Sequence, residues 1–391
     1  MKNVLLICDS FTSANFHVML SVIRSLGEVH IHAISAYNES KMDLPQYVDV
    51  TYYHVYYWRR SFTNLLKKIP NDFLSKSCLF AFSRITSLYD ALFTSTYERS
   101  IYRLSLKIID AENIDAVFSV CVRFYTHRIA TKLHKKTGVK WYQFWVDPYS
   151  NRKEGGKLWK KCAECLERRF LEDADRIYAL PEVFVGSKLI DDYKAKLVTF
   201  EIPYLEERIS EQKNKDVIFA GGFLKRVREP APVLNLLLSI LDSIDKEIKF
   251  HFYVKYKERY EDYTEQSGGR ILFHDYVNHQ ELYRLLSESF MLLNIGNAGS
   301  IQMPSKTVEY VSFRKPLLFF YKDPKDASLR YLVDYPDICR INVEDDLNVN
   351  KQALISFFHR GHPAISYTDL MQVKAYREST PSYIKQMLDD Q

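Results

Sequence analysis

Short apolar runs alternate with amphipathic, helix-length segments along nearly the whole chain. Runs at residues 4–8, 28–34, 115–120, 139–146 and 174–180 predict strands, with the amphipathic stretch 17–26 between the first two. The rhythm restarts at 216–222, a strand ending in two glycines, and a helical stretch follows at 231–244. Further strands are predicted at 248–254, 270–277, 289–296 and 316–320. Apolar runs of strand length separated by helical segments require crossover connections and give a mostly parallel sheet covered on both faces.

Between the two series lies a polar stretch almost free of apolar periodicity. It is read as a linker, 201–215, joining two doubly wound α/β domains at 1–200 and 216–365. The tail, 366–391, is predicted to be helical with a break at Pro381.

At 391 residues the chain is long enough for two domains, each with its own core. A hydrophobic share of 47% against 26% charged residues is a globular balance, and a net charge of +5 without arginine- or lysine-rich runs argues against a nucleic-acid partner. The N-terminal apolar run is short for a secretory signal and no stretch reaches spanning length, so a cytoplasmic location is expected. Residues 56–77 mix aromatic and basic residues. They read as a solvated loop and helix with packed aromatics, or as an amphipathic helix touching anionic lipid at the inner face of the cell membrane. The cysteines, Cys8, Cys78, Cys121, Cys162, Cys165 and Cys339, are scattered as reduced thiols would be. Cys162 and Cys165 form one Cys-x-x-Cys, read as packing rather than as a redox pair or half a zinc site, and no metal is expected.

The stretch 294–320 carries the most chemistry. A strand ends near Ile295, a loop follows with Gly296 and Gly299, and a helix begins near Pro304, whose fixed φ suits a first turn. The first-turn N–H groups, beginning with Ser305, have no intrahelical partners and sit at the positive end of the helix dipole, a ready phosphate site. Lys306 in that turn favours a diphosphate. Glu309, one turn on, stands at a suitable step for the hydroxyls of the same nucleotide's ribose. The same spacing equally fits an i, i+3 surface ion pair between the two.

These residues, written PSKTVEY and then FRKPLLFF, resemble the donor-binding stretch of family 4-like nucleotide-sugar glycosyltransferases, in a PSK-type variant. In that family the glutamate matching Glu309 holds the donor ribose and the helix start holds the diphosphate. Ile301 stands where the family usually has another glutamate, and Pro304 where a glycine is common. VIFAGGFLKRVREPAPVLNLL resembles the start of the family's C-terminal domain, which makes Gly222, Arg226 and Arg228 candidates for gripping the diphosphate. Unaided by the resemblance, that arginine pair is ordinary surface. FHDYVNHQELYRLLSESFMLLNIG resembles the strand, base-binding loop and helix, with Tyr276 and Val277 offering backbone groups to the base. The three matches come in the family's order.

The N-terminal half is less telling. Ser10, Thr12, Ser13 and Asn15 after the first strand line an acceptor cleft or cap a helix. WYQFWVDPYSN matches a catalytic-edge loop that in the family often carries a His-Asp pair; here Val146 replaces the histidine and Asp147 remains as the candidate catalytic residue, or as an Asp-Pro turn opener.

The resemblance implies a GT-B fold, two Rossmann-like domains facing across a cleft with a C-terminal helix returning to the first. It implies retaining, metal-independent transfer from a nucleotide-diphosphate sugar, needing no cofactor, to a glycan or lipid-linked acceptor, as in bacterial surface polysaccharide synthesis. Two alternatives stand beside it: a nucleotide-sugar epimerase, for which His17 and His127 are available acid/base groups, and an inactive scaffold that binds a nucleotide sugar or a partner enzyme.

Overall fold

A computed structural model describes residues 2–11, 14–35, 47–55, 96–121, 124–146, 157–185, 188–224, 227–298 and 303–389. The chain divides into two compact units, Met1–Glu201 with Ile384–Gln391, and Ile202–Tyr383.

The first unit carries β1 (Lys2–Cys8), α1 (Ala14–Arg24), β2 (Val29–Ser35), β3 (Val50–His54), α2 (Thr96–Glu112), β4 (Ala116–Cys121), α3 (Phe124–Thr137), β5 (Lys140–Trp145), α4 (Lys157–Asp173), β6 (Arg176–Ala179) and β7 (Leu197–Thr199). Its seven strands lie in the order β3-β2-β1-β4-β5-β6-β7, and every pairing is parallel. Strand β1 is buried from Val4 onward, as a strand covered on both faces must be.

Polar side chains inside this core pair with one another, although His127 Nε2 meets no partner among the described residues. The Trp141 indole donates to Ser119 Oγ at 2.8 Å, and the same hydroxyl lies 2.8 Å from His127 Nδ1. Trp145 donates to Gln143 Oε1, and Gln143 Nε2 donates to the Phe170 carbonyl.

The second unit carries β8 (Asp216–Ala220), α5 (Ala231–Leu238), β9 (Lys249–Tyr253), α6 (Glu261–Gln266), β10 (Ile271–His274), α7 (His279–Glu288), β11 (Met291–Ile295), α8 (Ser305–Ser312), β12 (Leu317–Tyr321), α9 (Ala327–Tyr331), β13 (Ile338–Asn342) and α10 (Leu347–His359). Its six strands run parallel in the order β10-β9-β8-β11-β12-β13. Chain order reverses direction between β8 and β11, and ligands of open parallel sheets bind outside the carboxyl ends of the strands at such a switch. One core cluster, with Phe250, Phe252, Leu293, Leu318 and Phe357, fills one side of this sheet. Residues 202–215 hold neither helix nor strand. They are strapped along the second unit: Leu205 N donates to Ser379 O, Glu211 N to Ser287 O and Lys213 N to Glu288 O.

The tail forms α11 (Tyr367–Gln372), α12 (Lys374–Glu378) and α13 (Pro381–Asp389). Pro381 opens the last helix, where its missing N–H costs nothing, while the break falls at Ser379 and Thr380. Among the described cysteines, Cys8 and Cys339 are buried thiols and Cys162 is half-buried. Cys165 departs from the packing expectation: it points to solvent from α4. The described residues contain no cluster able to hold a metal, and no described helix is long and apolar enough to cross a membrane.

Candidate functional site

The loops leaving β8 and β11, the two strands at the switch, are tied together. Ala298 N donates to Val227 O at 2.7 Å, which pins the loop after β11 to the loop after β8. Arg228 Nη2 donates to Asn297 Oδ1 at 2.7 Å and its Nη1 to Gly222 O at 3.3 Å. Burial pulls the Arg228 pKa down, partly offset by Tyr310, Asp326 and Tyr276. Arg228 is therefore a half-buried cation tied into the sheet edge, not the ordinary surface arginine that its sequence alone suggests. Its Nε meets no partner among the described residues. Arg226 lies outside them.

Helix α8 begins at Ser305 with Pro304 at its N-cap position, and no side chain caps it. Ser305 and Lys306 are half-buried in the first turn. One turn on, the Tyr310 hydroxyl accepts from Ala220 N at 2.7 Å, and burial raises its pKa strongly. This bond fastens α8 to the end of β8, just before Gly221 and Gly222. The helix start, the glycines and Arg228 thus share one edge of one sheet.

Lys306 Nζ lies 2.6 Å from Glu309 Oε2. The pair expected from the spacing does form, but it is not an exposed surface pair: the side chains are 31% and 8% exposed. The Tyr283 phenol of α7 is pushed up by burial first and by the Glu309 charge second. Tyr276 is 56% exposed and Val277 36%. Both follow β10, and the Tyr276 hydroxyl reaches back to within 3.6 Å of where a Cβ at Gly222 would stand.

Two contributors carried no sequence signal strong enough to single them out. Asn297 orients Arg228, and Asp326 accepts from Asn297 N at 2.6 Å while capping α9 through Ser328 N at 2.8 Å. Burial raises the Asp326 pKa. A Cβ at Gly296 would meet Asp326 Oδ2 at 2.1 Å, so any side chain there evicts the carboxylate from its buried seat. Gly296→Ala is expected to cost about 1–3 kcal/mol of stability, read as a lower urea midpoint of the second unit; an unchanged midpoint would contradict this placement.

In the first unit Ser10 follows β1 and Asn15 lies in α1, both half-buried, beside the switch between β1 and β4. Thr12, Ser13, Asp147, Ile301 and the segment 56–77 lie outside the described residues. His17 is half-buried with Nδ1 at 3.4 Å from the Tyr47 hydroxyl. His127 is wholly buried, and burial drops its pKa to about 3.

No protein-family model matches the chain, and no characterised protein matches it by sequence. Solved structures do match, from end to end. TarM superposes with a TM-score of 0.60 at 8% identity, covering 100% of this chain and 98% of TarM. The UDP-GlcNAc 2-epimerase of Methanocaldococcus jannaschii gives 0.58 at 10% identity and 100% of both chains. The fold is that of the GT-B proteins. MurG of Acinetobacter baumannii has it too, with a TM-score of 0.51, 12% identity, and 100% and 98% of the two chains covered. At such identities the likeness speaks for the architecture alone.

Proposed function

We propose that this GT-B chain is a glycosyltransferase that takes its sugar from a nucleoside diphosphate. The observation that carries the reading is the gathering of an uncapped helix start, Lys306, Glu309, Gly222 and Arg228 at the switch point of the second sheet. In it, the α8 amides and Ser305 receive the diphosphate, with Lys306 and Arg228 (and Arg226 as the further candidate) supplying positive charge. The Glu309 carboxylate accepts the ribose hydroxyls, and the Tyr276–Val277 loop meets the base. Charge growing on the departing diphosphate is then stabilised by fixed donors, so the transfer needs no metal. Retention at the anomeric carbon and a catalytic part for Asp147 follow from the family resemblance, as does a glycan or lipid-linked acceptor of bacterial surface polysaccharide synthesis. A cytoplasmic protein touching the inner face of the membrane suits such an acceptor.

The epimerase among the structural neighbours keeps a second chemistry in view. It requires acid and base groups at the sugar, and His127 is poorly placed for either, being sealed in a core and held neutral. The experiment is incubation with radiolabelled nucleotide sugars, with and without a mixed pool of glycan and lipid-linked acceptors. The transferase reading expects free nucleoside diphosphate to accumulate only with acceptor. Interconversion of the nucleotide sugar without acceptor would overturn it, and saturable binding without any turnover would mark an inactive scaffold.

A further inference from the structure

Arg228 lies across the switch point itself. Its Nη1 donates to the carbonyl of Gly222, just beyond β8, and its Nη2 to the side-chain oxygen of Asn297, just beyond β11. The guanidinium sits close to the glycines after β8, with Nη1 3.5 Å from where a Cβ at Gly221 would stand. Both of these partners are neutral, and among the described residues no carboxylate forms an ion pair with this cation. Lys306, by contrast, is already matched by Glu309 at 2.6 Å. Asn297 is held in turn. Its own N–H donates to Asp326 Oδ2 at 2.6 Å, and the N–H of Ala298 donates to Val227 O at 2.7 Å. The Asp326 carboxylate is engaged by that bond and by the Ser328 N–H at 2.8 Å. Buried and tied through its backbone, Asn297 presents its amide oxygen to Arg228 from one place.

We propose that Asn297 is a positioning residue whose neutral amide aims the Arg228 guanidinium across the switch between β8 and β11 without cancelling its charge, and so sets how tightly the site holds a diphosphate. The inference rests on the diphosphate role of Arg228 proposed above. A guanidinium carries five N–H donors in one rigid plane. Two are engaged by Gly222 and Asn297, which leaves three for an anion, the unpartnered Nε–H among them. An aspartate at 297 would hold the same fork at least as firmly, because hydrogen bonds between charged groups are the stronger ones. An arriving phosphate would then meet a neutral pair instead of a free cation. A residue that merely stapled the two loops together would work as well, or better, as aspartate. Asn297 acts through the arginine.

The test titrates inorganic pyrophosphate, ADP, CDP, GDP and UDP by calorimetry into the full chain and into Asn297→Ala, Asn297→Asp, Arg228→Gln and the Asn297→Ala, Arg228→Gln double variant. Arg228→Gln is expected to weaken pyrophosphate and the cognate nucleotide by about tenfold or more. Asn297→Ala should weaken both by about threefold or more in the full chain and have almost no further effect beside Arg228→Gln, since the group it positions is then gone. Asn297→Asp should weaken both by about tenfold or more without lowering the melting temperature, an outcome that a loop staple does not give. If the unmodified chain binds none of the five ligands, or Arg228→Gln leaves the affinities intact, the diphosphate role of Arg228 fails and the inference with it. If Arg228→Gln weakens binding but Asn297→Ala does not, or does so equally in both backgrounds, the arginine keeps its role and the positioning role is wrong. Full affinity in Asn297→Asp would likewise overturn the inference. Should Asn297→Ala not unfold cooperatively, Asn297→Ser takes its place in the cycle under the same criteria.

Discussion

Replacing Glu309 with alanine is expected to weaken binding of the cognate nucleoside diphosphate by roughly ten- to a hundredfold, while leaving inorganic pyrophosphate bound as well as before or better. Hydrogen bonds to a charged group contribute about 1.5–3 kcal/mol, and each 1.4 kcal/mol is about a factor of ten in affinity. The pyrophosphate half of the prediction has the opposite sign for a specific reason. Glu309 neutralises Lys306 at 2.6 Å, so losing it releases a cation beside the helix start. A carboxylate that merely repelled the ligand would give tighter binding of both molecules, and one with no part in binding would change neither. Calorimetric titration of the two ligands separates the three cases.

The second large effect is on stability in acid. His127 is fully buried, its Nδ1 lies 2.8 Å from Ser119 Oγ, and its folded pKa is about 3 against an ordinary value of 6.5. Below pH 6.5 the unfolded chain takes up a proton that the folded chain refuses. A depressed histidine therefore contributes stability that is fully present above pH 6.5 and drains away as the pH falls toward 3. The slope is about 1.4 kcal/mol per pH unit, so about 2 kcal/mol is lost between pH 7 and pH 5 through this one group. All four tryptophans, Trp58, Trp141, Trp145 and Trp159, lie in the first unit. Intrinsic fluorescence during urea unfolding thus reports on that unit alone. His127→Gln should flatten its pH dependence over this range by close to one proton; equal slopes for the two proteins would mean that His127 is reached by solvent or charged in place.

The fold was legible where strands are buried on both faces. Runs such as 290–293 and 316–320 are unbroken apolar stretches because β11 and β12 lie in the middle of a sheet. The three strands that the pattern misses are β3, β7 and β13, and all three are edges. Edge strands are half-solvated, so β13 reads Ile-Cys-Arg-Ile-Asn, alternating apolar with polar, and β3 mixes a threonine and tyrosines into its run. The site was legible in part for the same kind of reason. Ser305, Lys306 and Glu309 lie close together in one helix, and their relative geometry follows from a 3.6-residue turn. Arg228 was legible as a basic residue after a strand, but its hydrogen bond to Asn297 joins it to another loop some seventy residues away. Tyr283 and Arg208 meet each other through tertiary packing between α7 and an irregular segment. No local periodicity encodes that.

The central claim is that a nucleoside diphosphate binds where α8 begins. Titration of UDP, GDP, ADP and CDP into the chain in the presence of EDTA, repeated with Lys306→Ala, addresses it directly. Saturable one-to-one binding of at least one of them without metal, weakened tenfold or more by the substitution, is the predicted result. Absence of binding by all four, or binding that Lys306→Ala leaves untouched, would contradict it.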